Sequence, residues 1–186
     1  MIGVLAIQGG FAEHERVLDE LNLAHRRVNA AEDLKELRGL IVPGGESTVM
    51  IRFLREYALD QAICKRAEDP HFVIYGTCAG LIVLAKTVDH LPFPPLGILD
   101  LSVERNAYGR QSASFITDLN VNGLNEPLPA HFIRAPKISW VGSEVQVLAE
   151  HQGKPVLVRQ GSVWGSTFHP ELAPTSLLHR EIFCFS

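Results

Sequence analysis

Three times in its first 85 residues the chain passes through a short β-rich run, meets a glycine turn and enters a helical pattern. Residues 2–7 lead into Gly9-Gly10 and a helical stretch over about 11–23, in which Phe11, Val17, Leu18 and Leu21 fall near one face. Residues 39–42 run into Pro43-Gly44-Gly45, and Ser47 stands where an N-cap would open a helix to about residue 59. Residues 71–75 end at Gly76, and residues 81–85 open a further helix. A short strand fits at 26–28, after the first helix. Parallel neighbours need long crossovers, and helices supply them, so this repetition predicts an α/β fold with a parallel sheet covered on both faces.

The second half differs. Residues 91–97 form a stiff, proline-rich loop, and β-like runs follow at 114–119, 131–133, 145–151, 155–159 and 163–168. These are expected to extend the same sheet in antiparallel fashion, with a terminal helix from about residue 175. No repeat, low-complexity tract or linker divides the chain, so residues 1–186 read as one domain, long enough to bury a full core.

Charge and cysteine usage narrow the function. Seventeen Lys and Arg against 21 Asp and Glu leave a net charge of −4, and a nucleic-acid or membrane-surface protein usually needs a basic excess. No apolar run of about 18 residues suits a membrane span. Met1 leads straight into the first strand, without the basic region or cleavage site of a signal peptide. Three cysteines, an odd number, fit free thiols in a reducing cytoplasm. Cys64, in a helical pattern, and Cys184, in an apolar tail, read as small buried hydrophobes.

Cys78 reads otherwise. In Gly76-Thr77-Cys78-Ala79-Gly80 it stands between two glycines, each two positions away, with a predicted strand before and a predicted helix after. That is the spacing and context of a nucleophile elbow. The abrupt turn strains the corner residue and projects its side chain, while the following helix aims its N–H groups and positive end at the sulfur. The Ala79 N–H can face a developing oxyanion.

A cysteine nucleophile needs a base, and the base needs an orienting acceptor. Of eight histidines, His169 alone closes an apolar β-like run, with Pro170 to stop the strand and Glu171 to return a carboxylate to the ring. His14, His25, His71, His90, His131, His151 and His179 read as solvated or locally hydrogen-bonded, and none has metal-ligand spacing with the cysteines. Pro43-Gly44-Gly45-Glu46-Ser47-Thr48 offers backbone N–H groups to an anion but lacks the lysine of a phosphate loop. In an open parallel sheet this turn and Cys78 share the carboxyl rim of the strands.

The elbow together with His169-Pro170-Glu171 resembles the class I, or triad, glutamine amidotransferases. More narrowly, nearly the whole chain is similar to the glutaminase subunits of pyridoxal 5′-phosphate synthases. The narrower likeness is carried by Leu5-Ala6-Ile7-Gln8-Gly9 with Glu13-His14, by the Pro43–Thr48 turn, by 103–111 around Arg105 and by Phe132-Ile133-Arg134-Ala135-Pro136. The resemblance implies a three-layer, flavodoxin-like sheet, mixed but mostly parallel. It implies hydrolysis of L-glutamine to glutamate and ammonia, with Cys78 as nucleophile, His169 as base and then acid, and Glu171 orienting His169. Gly45, Glu46, Ser47, Arg105, Ile133 and Arg134 would contact glutamine, and the N–H groups of Gly45 and Ala79 would form the oxyanion hole. Arginines and backbone amides suit an α-carboxylate, and Glu46 an α-ammonium.

The same resemblance implies a partner, a separate barrel-shaped synthase subunit in a large heteromeric complex. A barrel of that kind takes about 250 residues, so it must be another chain. Pyridoxal phosphate would be the product of the complex, not a cofactor here; no metal is implied. Such glutaminases idle until the partner docks, and the Gly44-Gly45 peptide is the expected switch. The elbow and the His-Pro-Glu turn alone leave open a subunit serving histidine or purine synthesis, another cysteine hydrolase, or a non-catalytic module of the same fold.

Overall fold

A computed structural model describes residues 1–105 and 114–184 of the chain. Five strands form its parallel centre: β1 (Ile2–Leu5), β2 (His25–Val28), β3 (Gly39–Val42), β4 (Val73–Thr77) and β12 (Val163–Ser166). They lie in the order β2-β1-β3-β4-β12, the 2-1-3-4-5 order of a flavodoxin-like sheet. Two more strands, β10 (Gln146–His151) and β11 (Lys154–Gln160), add antiparallel beyond β12 and complete seven.

Side-chain alternation divides the sheet between two cores. Leu5, Leu40, Val42 and Ile74 point to one face, where Met50, Ile51 and Leu54 of α2 (Ser47–Glu56), Leu59 and Ile63 of α3 (Leu59–Ala67) and the buried α4 (Ala79–Leu84) cover them. Ile2, Val4, Ile41, Val73 and Tyr75 point to the other face, against Leu18 of α1 (Phe11–Glu20) and Leu178, Ile182 and Phe183 of α5 (Leu177–Phe183). Three layers result. Among the described residues no helix is long and apolar enough to cross a membrane.

The structure departs from the sequence reading in several places. The helix after the elbow spans only Ala79–Leu84; Ala85 turns to extended backbone and starts β5 (Ala85–Val88), which pairs with β6 (Leu99–Glu104) and, through it, β9 (Lys137–Val141) in a separate small sheet. The second helix is broken: Ala58 takes φ 53°, which ends α2 and opens α3. Its cap is Glu46 rather than Ser47, because Glu46 is extended and its Oε2 accepts the Val49 N–H at 3.1 Å, while Ser47 is already helical.

The antiparallel extension is correct for β10 and β11 only. The runs near 114–119 and 131–133 become β7 (Phe115–Leu119) and β8 (Leu128–Phe132), which pair with each other off the main sheet. Leu119, Leu128, Ala130 and Phe132 pack onto the core beside α1 and α5, and that burial holds the pair against a sheet face instead of its edge. The run at 163–168 returns from the β10–β11 hairpin and pairs parallel to β4, Ser166 opposite Thr77. Cys64 is half-buried, its thiol 3.7 Å from the Leu96 carbonyl, whereas Cys184 is exposed and not the buried hydrophobe expected.

Candidate active site

Four strand ends meet at one rim. The turn after β1 brings Gln8 to Gly10, the turn after β3 brings Pro43 to Glu46, β4 leads into Cys78, and β12 leads to His169. Between them lies a cleft of about 390 Å³, within the usual range for small-molecule sites. Gly45, Glu46, Ser47, Cys78, Ala79, Arg105, Ile133, Arg134 and His169 all line it, together with Gln8, Gly9, Gly10, Gly44, Ile82 and Pro136. Glu171 stands behind His169, 2% exposed.

Cys78 caps α4 with φ 49° and ψ −102°, a conformation that L-residues rarely adopt and that marks a strained corner. Its N–H donates to the Ser166 carbonyl at 2.8 Å, so β12 holds the corner in place. The two glycines are required by contact: a Cβ at Gly80 would stand 1.9 Å from the Val42 carbonyl oxygen, and one at Gly76 would stand 2.7 Å from the Gly80 carbonyl carbon. A strand, a helix and the neighbouring strand cross here with no room for a methyl group. The Cys78 sulfur, 8% exposed as a residue, lies 3.9 Å from the Ile133 carbonyl oxygen and lines the same cleft as His169.

His169 is held on both sides. Its N–H donates to the His131 carbonyl at 2.9 Å, which ties the turn after β12 to β8. Its Nδ1 lies 2.7 Å from Glu171 Oε1, which Pro170 at the start of a short 3₁₀ turn brings back under the ring. Burial disfavours charge on the imidazole, but Cys78 nearby and the hydrogen bond and charge of Glu171 outweigh it and raise the pKa. For Glu171, burial pushes the pKa up; His14 nearby and the bond to His169 prevail and bring it well below the usual carboxylate range. A thiol, an imidazole and a buried carboxylate in that order can abstract, hold and return a proton beside a nucleophilic sulfur.

The glycine turn after β3 is packed against these groups. A Cβ at Gly44 would lie 2.5 Å from His169 Cε1, so the turn needs glycine to approach the imidazole. The Gly44 carbonyl accepts the Gly10 N–H at 3.0 Å, and Gln8 Oε1 accepts the Glu46 N–H at 2.9 Å. On the far wall Arg105 Nη2 pairs with Glu46 Oε1 at 3.1 Å, and Arg134 takes φ 44° directly after Ile133. Asn106 to Gln111, which carry part of the family likeness, lie outside the described residues.

Two histidines depart from the sequence reading. His14 and His179 are neither solvated nor locally bonded: both are wholly buried and bonded to each other, Nδ1 to Nε2, at 2.9 Å. Helix phase carries the signal. His14 precedes Val17, Leu18 and Leu21 by three, four and seven residues, and His179 precedes Ile182 and Phe183 by three and four. Gln8 is a further lining residue that spacing alone does not single out.

A model of the SNO glutamine amidotransferase family matches residues 4–184. The chain is 49% identical over 181 residues to a pyridoxal 5′-phosphate synthase subunit PdxT of Thermus thermophilus, covering 97% of this chain and 94% of that one. To the protein of the same name from Niallia circulans it is 46% identical over 178 residues, covering 96% and 93%. A solved structure described as a glutamine amidotransferase superposes with a TM-score of 0.93 at 47% identity, over 97% of this chain and 96% of that one. The structure of PurLQS from Thermotoga maritima, with a TM-score of 0.70 at 18% identity over 95% and 90%, shares the fold alone.

Proposed function

The chain belongs to the SNO glutamine amidotransferase family, and from that membership we propose that it is the glutamine-hydrolysing subunit of a pyridoxal 5′-phosphate synthase. The observation that carries the chemistry is the buried 2.7 Å contact of His169 with Glu171, set behind a cysteine on a strained elbow in the same cleft. Cys78 Sγ attacks the side-chain amide carbon of L-glutamine while His169 takes the thiol proton. The tetrahedral oxyanion rests on the N–H groups of Gly45 and Ala79. His169 then gives its proton to the departing nitrogen, ammonia leaves, and a thioester remains on Cys78. Water, deprotonated by His169, attacks that thioester and releases glutamate and the free thiol. Glu171 keeps the ring oriented and balances its positive charge in both halves.

The zwitterionic end of glutamine is read by the outer wall. Glu46 and Arg105 present opposite charges 3.1 Å apart, and Arg134 lines the same cleft, so an ammonium and a carboxylate both find partners. The relatives' printed name, a synthase subunit, supports a second chain; on this proposal that chain receives the ammonia, within a large heteromeric complex. The Gly44-Gly45 peptide is the switch: with the Gly44 carbonyl held by Gly10 it has one fixed orientation, and docking turns the peptide.

Glutamate release by wild type and by Cys78→Ser, each with and without the synthase subunit, tests the reading. Activity in the wild-type complex alone is expected. High turnover by the isolated chain removes the switch, and release by Cys78→Ser in the complex removes the mechanism.

A further inference from the structure

Behind Glu171 lies a second layer of buried polar groups that the proton transfers do not use. His14 Nε2 lies 3.3 Å from Thr77 Oγ1 and 3.5 Å from Glu171 Oε2, while its Nδ1 meets His179 Nε2 at 2.9 Å. Thr77 is the residue before the nucleophile, and the other oxygen of Glu171 holds His169. Glu171 Oε2 and His179 Nδ1 are buried without a hydrogen-bond partner. A buried carboxylate oxygen without a donor is costly.

The tautomers follow from that orphan oxygen. With a lone pair on His14 Nε2, two electron-rich atoms would face each other across 3.5 Å in a dry site. With the proton on Nε2, a small turn of the carboxylate gives Oε2 its donor. His14 Nδ1 must then accept, so His179 donates from Nε2 and leaves its bare Nδ1 at the end of the chain, where the unpartnered atom is found. The charged and titratable groups around His14 are Glu171 and His169 from the turn after β12, His179 from α5 and Glu13 from its own helix; Tyr75 of β4 meets the edge of His179. Burial lowers the pKa of both inner histidines, which keeps this chain neutral and leaves the Glu171 charge to His169.

We propose that His14 is a positioning residue for the glutaminase centre: its Nε2–H fixes the Glu171 carboxylate from behind and ties it to Thr77 at the elbow, and His179 sets the tautomer. This rests on the glutamine-hydrolysing reading. The test compares His14→Leu, His14→Gln and His14→Asn in the complex with the synthase subunit, by glutamate release across pH. The pH dependence of Cys78 alkylation by iodoacetamide, resolved by peptide mass, is measured beside it. His14→Leu should lower kcat about ten- to a hundredfold, the size of a lost hydrogen bond to a charged group, with KM within about twofold. Without the donor the carboxylate protonates more easily, so the acid limb of both pH profiles moves to higher pH.

Gln puts an amide N–H near the Nε2 position and restores rate and limb; Asn, whose amide falls near Nδ1, does not. An unshifted limb in His14→Leu, or Asn matching Gln, overturns the proposal. Should His14→Leu fail to fold, the Gln and Asn pair decides alone. Should the wild-type complex release no glutamate, the glutaminase reading fails, and the alkylation profiles still judge whether His14 governs the Cys78–His169 pair.

Discussion

The two walls of the cleft are built on different terms. The inner wall consists of turns that end parallel strands, and backbone hydrogen bonds fix it: Cys78 to Ser166 at 2.8 Å, His169 to His131 at 2.9 Å, Gly10 to Gly44 at 3.0 Å. The outer wall consists of Arg105, at the end of β6, and Ile133 and Arg134, just past β8, strands that belong to the small sheets. There the contacts are side-chain pairs near solvent, such as Arg105 with Glu46, and exposed pairs of that kind contribute little to rigidity or stability. Bond making needs atoms held within tenths of an ångström, whereas grasping a zwitterion tolerates movement and gains from it. On the proposed reading the inner wall is therefore the place for kcat and the outer wall the place for KM.

The largest effect should come from the inner wall. Cys78→Ser exchanges a thiol for a hydroxyl, a far weaker nucleophile in a site built for sulfur, and glutamate release in the complex should fall by about 10³-fold or more with KM little changed. Arg105→Ala and Arg134→Ala should each raise KM about ten- to a hundredfold while kcat stays within a few-fold, as loss of a carboxylate contact without loss of the reacting groups requires. An arginine variant that lost kcat as deeply as Cys78→Ser would erase the division between the walls.

The same division decides what the sequence can reveal. The inner wall is local in the chain: Gly76 to Gly80 spans a single turn, and His169 to Glu171 another, so spacing and turn chemistry disclose both. The outer wall is assembled from residues far apart in sequence, and Arg105 and Arg134 carry no local signature; only the family likeness points to them. Two further differences come from weighing residue type above phase. His14 and His179 occupy core positions of their helices, although imidazole is a polar group that composition assigns to solvent. Ser47 is the better N-cap by preference, yet Glu46 takes the role because the extended backbone of the turn ends one residue earlier. The sheet of β5, β6 and β9 escapes the sequence for a different reason: Leu99, Leu101 and Val103 alternate along β6 as a half-buried strand should, but the partners that bury them, Ile138 of β9 among them, lie elsewhere in the chain.

The buried histidines give the inner wall a pH signature of its own. Burial brings His179 from its ordinary 6.5 to about 3, with the neighbouring His14 adding to the shift and Glu171 opposing it. Above pH 6.5 the native and unfolded chains carry the same protons at this site. Below it the unfolded chain binds one that the native state refuses, so this contribution to stability is full at neutral pH and is lost as pH falls toward about 3. One such group costs up to about 1.4 kcal/mol per pH unit across that window. His169, raised by its partners, runs the other way, and comparison with His179→Leu separates the two. The melting temperature of wild type relative to His179→Leu should decline steadily from pH 7 to pH 5; a constant difference would show His179 protonated, or solvated, in the native state.

The smallest effect sits where the walls touch. Glu46 serves both: Oε2 caps α2 through the Val49 N–H at 3.1 Å, and Oε1 pairs with Arg105 at 3.1 Å. Glu46→Ala loses cap and pair together and should cost about 1 kcal/mol of stability, the usual worth of an N-cap. Glu46→Gln keeps an oxygen for Val49 but no charge for Arg105, so its stability should stay within about 0.5 kcal/mol of wild type, as expected for a solvent-exposed pair. Its KM should nonetheless rise, because Arg105 is no longer steadied and the ammonium of glutamine loses a counter-charge. Urea denaturation beside glutamate-release kinetics reads both. If Gln destabilises as much as Ala, the ion pair and not the cap holds the start of α2, and the outer wall is stiffer than its exposure implies.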